Sequence, residues 1–341
     1  MTKKLMIKPL YNAVLLIALV LLSSSCYRGE SIDNSPHGNF EALWKILDRG
    51  YCYFTYKDID WDEVYDRYEQ MITPNMSSED LFEVLGEMTR ELKDGHVNLS
   101  SSSNLARYWE WYENYPRNFS EAIQEDYLGT KYKIAGGIKY RILEDNIGYM
   151  YYESFANPIG DGNLDHIMNH FKLCDGIIVD IRNNGGGNIT NSTKIARRFT
   201  NEEVLTGYIM YKRGYGHDDF SEPYPVKIKP SNGIRWQKKV VVLTNRHTYS
   251  AANDFTNNMR NFPNVTIMGD RTGGGGGLAF TSELPNGWSV RYSASPHLDA
   301  DKKHVEFGID PDIKVDMTTE DATKGIDTII ETAREFLKKK E

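Results

Sequence analysis

Two short runs, apolar on both faces, constrain this chain more than any other feature: Gly176–Ile181 (GIIVDI) and Val240–Leu243 (VVVL). A strand with one face in water alternates apolar and polar residues, so a run without that alternation belongs inside a sheet. Each run then breaks into a polar turn that leads into a helical stretch. The first passes through Arg182, Asn183, Asn184, Gly185, Gly186 and Gly187 before the helical pattern Ile189–Phe199. The second passes through Asn245–Tyr249 into Ala251–Arg260, with Ser250 at the junction. From Ile138 onward strands alternate with helices, including a strand at Gly148–Phe155 and a helix marked by Leu164, Ile167, Met168 and Phe171. That alternation is the pattern of an α/β unit, expected at residues 138–341.

Residues 38–100 read as a small helical domain instead. A helix opens at Asn39 with Phe40, Leu43, Trp44 and Leu47 on one face. A second, capped by Asp60, carries Trp61, Val64, Tyr65, Tyr68, Met71 and Ile72; a third, capped around Ser77 and Asp80, carries Leu81, Val84, Leu85, Met88 and Leu92. These stripes are core. Gly95 reads as the stop of the third helix, and His96 opens a short strand-like run, HVNLS. Residues 101–137 form an irregular connecting segment, rich in aromatics at Tyr108, Trp109, Trp111, Tyr112 and Tyr115. After Ser250 come a hairpin from Leu278 to Ala294 around Asn286-Gly287, a turn holding Glu306, and a closing amphipathic helix with Ile326, Ile329, Ile330, Ala333, Phe336 and Leu337.

At the start, Lys3, Lys4 and Lys8 precede the apolar run Ala13–Leu22, which is too short to span a bilayer. Residues 1–25 therefore read as an export signal. Ser23, Ser24, Ser25 and Cys26 resemble the lipobox of bacterial lipoproteins, implying lipidation at Cys26 and a membrane anchor, with residues 26–37 as a polar tether. The expected location is the cell envelope, periplasmic or outer-membrane surface. Losing the three lysines and no acids of that segment takes the formal charge from −8 to −11, a surface that repels phosphate backbones and argues against nucleic acid partners. Cys52 and Cys174 then remain, both in apolar contexts of the kind that hold buried free thiols, and they give no zinc spacing.

Chemistry concentrates at the two strand-end turns. A serine before a helix start lies near the positive end of the helix dipole, a position that suits a nucleophile and equally suits an N-cap. Free N–H groups of the Gly185–Gly187 turn suit an anion, whether phosphate or oxyanion. The phosphate reading lacks its residues, since neither this turn nor Gly273–Gly277 is followed by a Lys-Ser/Thr pair. His166 and His170 have the spacing of a zinc helix, but Ile167 stands where the glutamate belongs, so they read as a solvated face; no metal or other cofactor is expected.

In order, then, the chain shows a helix bundle, Asp-Gly-His at 94–96, a strand and Asp-x-Arg-x-Asn-Gly-Gly-Gly at 180–187, a strand and Tyr-Ser-Ala-Ala at 249–252, Gly-Asp-Arg-Thr-Gly at 269–273, and Glu-x-Gly-Ile-x-Pro-Asp-Ile at 306–313. From about Phe40 to Val315 this order resembles the S41 family of serine peptidases, which includes the tail-specific proteases and the core of the tricorn protease. The resemblance implies a helical N-terminal region and an α/β catalytic domain with the spiral sheet shared with the ClpP and crotonase group. Tail-specific members use a Ser-Lys dyad; here Gly275 falls at the lysine position, and the next lysine after Ser250 is Lys302. Tricorn-like members use a histidine and a glutamate, matched by His96 and Glu306. Gly95 departs from the serine such enzymes carry before the histidine. The family's PDZ domain has no counterpart in the roughly fifty residues between His96 and Ile147.

The resemblance implies acyl transfer on peptides or unfolded protein tails: Ser250 as nucleophile, His96 as general base, and Glu306 orienting the imidazole directly or through an intermediate group. The oxyanion would be held by the N–H of Ala251 and one N–H of the glycine turn, Gly186 or Gly185. His247, three residues before Ser250, is the rival base. Two other readings stand beside this one: an inactive lipoprotein of the same fold that binds peptides or glycans, and a non-peptide ester hydrolase.

Overall fold

The computed structural model describes residues 33–339. The export segment 1–25, Cys26 and most of the tether lie outside the described residues.

Helix α1 (Pro36–Gly50) starts earlier than the apolar spacing alone predicts, because Ser35 caps it: its Oγ accepts the Gly38 N–H at 3.0 Å, and Pro36 sits where no N–H is needed. One further turn, α2 (Phe54–Lys57), carries no amphipathic signal. Helices α3 (Trp61–Glu69) and α4 (Ser78–Arg90) are capped by Asp60 and Ser77 as their sequences predict. Phe40, Leu43, Leu47, Trp61, Leu85 and Met88 share one core with Trp288, Val290 and Tyr292 of the later hairpin, so these helices are seated on a sheet. The chain leaves α4 through Lys93, at φ 46, rather than through Gly95.

The segment expected to be irregular contains β2 (Leu105–Arg107), which pairs with β1 (Asn98–Ser100), and a helix α5 (Glu121–Leu128) capped by Ser120. There follow β3 (Lys133–Ala135), β4 (Ile138–Ile142), β5 (Ile147–Tyr151), α6 (Asp161–Phe171), β6 (Gly176–Asp180), α7 (Ile189–Ala196), β7 (Val204–Ile209), β8 (Tyr224–Ile228), β9 (Val240–Thr244), α8 (Ala251–Met259), β10 (Val265–Gly269), β11 (Gly277–Glu283), β12 (Ser289–Asp299), β13 (Ile313–Lys314), α9 (Thr319–Thr323) and α10 (Thr328–Lys338).

One sheet has the order β13-β10-β9-β6-β5-β4-β3, parallel from β5 to β13 and antiparallel at β3 and β4. Its strands bury both faces. Ile177, Val179, Val240 and Val242 pack with Ile167, Phe171, Phe255 and Met259 from α6 and α8. Ile178, Val241 and Leu243 point the other way, onto Ile329, Ile330 and Ala333 of α10. That two-sided burial is the physical reason for the unbroken apolar runs. A second sheet, β2-β1-β12-β7-β8 with β11 on β12, supports the N-terminal helices. Because β6 and β9 are parallel neighbours, with Ile178 opposite Val241, their C-terminal ends bring the glycine turn and Ser250 side by side. Open α/β sheets hold their ligands at such strand ends. Cys52 and Cys174 are buried free thiols.

Candidate active site

Ser250 has φ 56 and ψ −121, a region that residues with a Cβ seldom enter. The surroundings hold it there. Its N–H donates to Gly274 O at 2.9 Å, and the Tyr249 N–H donates to Asn184 O at 3.0 Å. Two asparagines lace the turns together: Asn245 Nδ2 donates to Asn183 Oδ1 at 2.9 Å, while the Asn183 N–H donates to Asn245 Oδ1 at 3.0 Å. Beneath them, the buried Arg182 guanidinium donates to both oxygens of Asp180 and to Asp327, whose carboxylate also caps α10. The Asp-x-Arg motif is thus a structural pin.

Ser250 precedes α8 but its side chain makes no capping bond, which removes the N-cap explanation for it. Its Oγ lies 2.9 Å from His96 Nε2. The His96 ring is buried and meets the Tyr249 ring edge-on at 5.0 Å. Burial pulls its imidazole down to about 4, against the opposing charge of Asp94. At neutral pH it is an unprotonated base. Asp94 accepts the His96 backbone N–H at 2.7 Å through Oδ1 and the Ser293 hydroxyl at 2.9 Å through Oδ2, while His96 Nδ1 has no hydrogen-bond partner.

Glu306 is not the solvated turn carboxylate that its loop suggests. It is buried, and burial together with the charge of Asp94 pushes its carboxyl up to about 7, with Lys57 opposing. Its Oε2 accepts the Gly276 N–H at 2.9 Å and its Oε1 accepts Lys57 Nζ at 2.8 Å; none of its hydrogen bonds goes to His96. Lys57 lies between Glu306 and Asp94. Its ammonium also donates to Leu92 O at 3.3 Å and Lys93 O at 3.2 Å and lies 3.7 Å from Asp94 Oδ2, so it ties Glu306 to the loop that presents His96. Sequence reasoning missed Lys57, because a lysine in the run FTYKD looks like any surface lysine. Asp94 was visible within Asp-Gly-His but had no assigned role.

The remaining positions sort by steric fit. Gly186 lies against the nucleophile: a Cβ there would sit 2.7 Å from Ser250 Cβ and 2.8 Å from Ala251 N. Its N–H, however, donates to Asn184 Oδ1 at 2.9 Å, while Gly185 faces open space and Gly187 lines the cavity beside Ser250. At Gly275, φ is 75 and a Cβ would meet the Tyr249 ring at 2.5 Å, so the lysine of a Ser-Lys dyad has no room. At Gly95 a Cβ would lie 2.6 Å from Trp111 Nε1 and 2.8 Å from the Tyr249 hydroxyl. The missing serine is therefore replaced by two aromatic side chains that fill its volume. His247 packs its ring on Tyr112, with centroids 4.5 Å apart. His166 is exposed and His170 half-buried, and both meet the edge of Tyr140. Among the described residues, no group of three or more His, Cys, Asp or Glu is arranged to hold a metal ion.

Comparison with known proteins bears on the family. Residues 146–315 match the model of peptidase family S41, and residues 32–90 match that of the tricorn protease C1 domain. A Staphylococcus haemolyticus protein described as a CtpA-like serine protease is 28% identical over 174 residues, 50% of this chain and 34% of that protein. The chain thus matches about a third of the length of this curated relative. A solved structure from Parabacteroides merdae, assigned as a peptidase, is 58% identical, covering 91% of this chain and 98% of that one with a TM-score of 0.87. Mature CPAF shares the fold at 12% identity, with a TM-score of 0.68 over 89% of this chain and 96% of that one. With both strand-end turns and the Glu306 loop inside one family match, and a relative that aligns along nearly its whole length, the chain belongs to peptidase family S41.

Proposed function

We propose that the chain is a serine peptidase that cuts peptides or unfolded protein tails through an acyl-enzyme. One observation carries the reading: a half-buried serine hydroxyl on a strained backbone, 2.9 Å from a buried, unprotonated imidazole. A serine hydroxyl is too weak an acid to ionise at neutral pH, so attack needs a base within hydrogen-bond reach. His96 Nε2 takes the Ser250 proton as Oγ attacks the carbonyl carbon, then returns it to the departing amine; water repeats the cycle on the ester. Asp94 is the nearest carboxylate charge favouring the imidazolium. Glu306 acts at one remove, through Lys57 and through the Gly276 N–H. Ala251 N–H supplies one oxyanion donor. The second comes from the glycine turn, where Gly186 must release Asn184 to serve and Gly187 lines the same cavity.

A fluorophosphonate probe tests the assignment, because it reacts with an activated hydroxyl. Labelling should map to Ser250 and vanish in Ser250→Ala, with turnover of an unfolded protein falling on the order of 10⁶-fold. An unlabelled wild-type protein, or undiminished turnover in the variant, overturns the reading.

We further propose that the protein works in the cell envelope, anchored through a lipid on Cys26. The motif lies outside the described residues and rests on its sequence alone. Cys26→Ala should move the protein from the membrane to the soluble fraction; a variant that stays with the membrane refutes the anchor.

A further inference from the structure

The two faces of the sheet beside His96 are used differently. Leu99, Ala106 and Val290 lie opposite one another on β1, β2 and β12 and are buried in the core shared with the N-terminal helices. Successive residues of a strand point to opposite faces, so the neighbouring row of Arg107, Asn98 and Arg291 points the other way. That is the side of the catalytic residues. Ser293, two positions after Arg291 and on the same face, donates its hydroxyl to Asp94 Oδ2 at 2.9 Å, and Asp94 in turn holds the His96 backbone N–H. Arg291 is exposed, and it lines the cavity of about 80 Å³ that opens beside His96, Ser250 and Ala251.

Its charge is unmatched there. The chain has 48 acidic residues against 40 lysines and arginines, so acids are in surplus. Yet among the described residues the Arg291 guanidinium has neither a hydrogen bond nor an ion pair. Arg107, on the other side of Asn98, donates Nε to Gly95 O at 3.1 Å and lies 4.3 Å above the Trp109 ring, with no carboxylate in salt-bridge reach. Behind burial, both arginine charges help to hold the His96 imidazole down, so both are felt at the site. Asp254, the carboxylate in the cavity lining, is engaged by the fold instead: its Oδ2 accepts from Ser192 Oγ at 2.8 Å and Asn258 Nδ2 at 3.0 Å, and its Oδ1 lies 3.6 Å from His297 Nδ1. An accessible guanidinium beside a nucleophile, with no acid of its own chain to neutralise it, suits an anion brought by the substrate, and its planar fork matches a carboxylate.

We propose that Arg291, with Arg107 adding to the positive field, binds a carboxylate of the substrate peptide, carried by an aspartate or glutamate side chain close to the cut bond. The proposal rests on the peptidase reading and makes Arg291 a specificity residue for it.

The test is a series of peptides acetylated at one end and amidated at the other, identical except for Glu, Gln or Lys at one position, which is moved stepwise across the cut bond. Cut sites are mapped by mass spectrometry and kcat/KM is measured for each. At one position Glu should be favoured over Gln by at least about 10-fold. Arg291→Gln should shrink that ratio about 10-fold, and Arg291→Glu should turn the preference toward Lys. Because each ratio is taken within one variant, a general loss of activity cancels. A second arm leaves the C-terminus of the Gln peptide free: a preference that appears only there, and is lost in Arg291→Gln, places the carboxylate at the chain end and overturns the side-chain assignment. Equal cleavage of Glu and Gln peptides at every position, or a ratio unmoved in both variants, makes Arg291 a solvated side chain and sinks this proposal alone. If every peptide stays intact, the peptidase reading falls and this falls with it.

Discussion

The two halves of the site are held by different means. Ser250 and the glycine turn sit at the ends of adjacent parallel strands, laced by backbone and asparagine hydrogen bonds over a core sealed on both faces. His96 and Glu306 sit on loops, joined by one buried lysine between two buried carboxylates. Neutral hydrogen bonds are little troubled by losing one member, since each contributes only about 0.5–1.5 kcal/mol net. Buried charges behave otherwise, because removing one strands the rest. The strand-end half should therefore govern chemistry with little effect on stability, and the loop half should govern both.

The sharpest way to break that contrast is Lys57→Met. Without the ammonium, Asp94 and Glu306 face each other unpaired, and the loop carbonyls of Leu92 and Lys93 lose a donor. Breaking such a buried pair costs about 3–5 kcal/mol, and turnover should fall with it as the His96 loop shifts. Ser250→Ala, in comparison, loses a hydroxyl bond and should cost about 1 kcal/mol in stability. Urea denaturation of both variants checks the difference. Equal destabilisation would mean that the two halves do not differ in kind.

The same contrast explains what the sequence disclosed. The strand-end half was legible because its signals are local: an apolar run, a turn, a helix start. Ser250, Ala251 and Gly186 are each within a few residues of a strand whose burial forces the pattern. The helix caps at Asp60 and Ser77 were legible for the same reason. In the loop half His96 and Glu306 were named only through the family resemblance, and Lys57 was missed, because it acquires its meaning only when Glu306, 249 positions later, comes to 2.8 Å. Glu306 makes no hydrogen bond to His96; its Oε1 accepts from Lys57 and its Oε2 from the Gly276 N–H. α2 and β2 escaped notice because each is only a few residues long.

Gly95 offers a second, smaller test, of whether the loop half is closed by shape as well as by charge. A serine there would push its Cβ into Trp111 and the Tyr249 hydroxyl. Overpacking of this kind costs about 1–3 kcal/mol, so Gly95→Ser should lower the thermal midpoint rather than raise activity by restoring the serine of tricorn-like enzymes. Placing the same change in a Trp111→Ala background should remove most of its cost. If Gly95→Ser is as stable as the parent, Trp111 yields freely and shape plays no part.

The smallest effect lies in the pH dependence, where the two titrating groups of the loop half have opposite signs. His96 is held down, to about 4 from an ordinary 6.5, by burial. Its contribution is complete above pH 6.5 and is lost as pH falls toward 4, because the unfolded chain takes up the proton first. Glu306 is held up, to about 7 from 4.5, by burial and by Asp94. Its contribution is complete below pH 4.5 and is lost as pH rises toward 7, since the folded protein keeps the proton longer. Between pH 4.5 and 6.5 the two slopes cancel. Glu306→Gln leaves the histidine slope unopposed, so relative to the parent its stability should rise with pH by about 1 kcal/mol per unit across that window. His96→Gln should tilt the other way. Urea titrations at pH 5 and 6 resolve the difference, and variant curves that run parallel to the parent's would show that neither group is titrating where the buried charge cluster puts it.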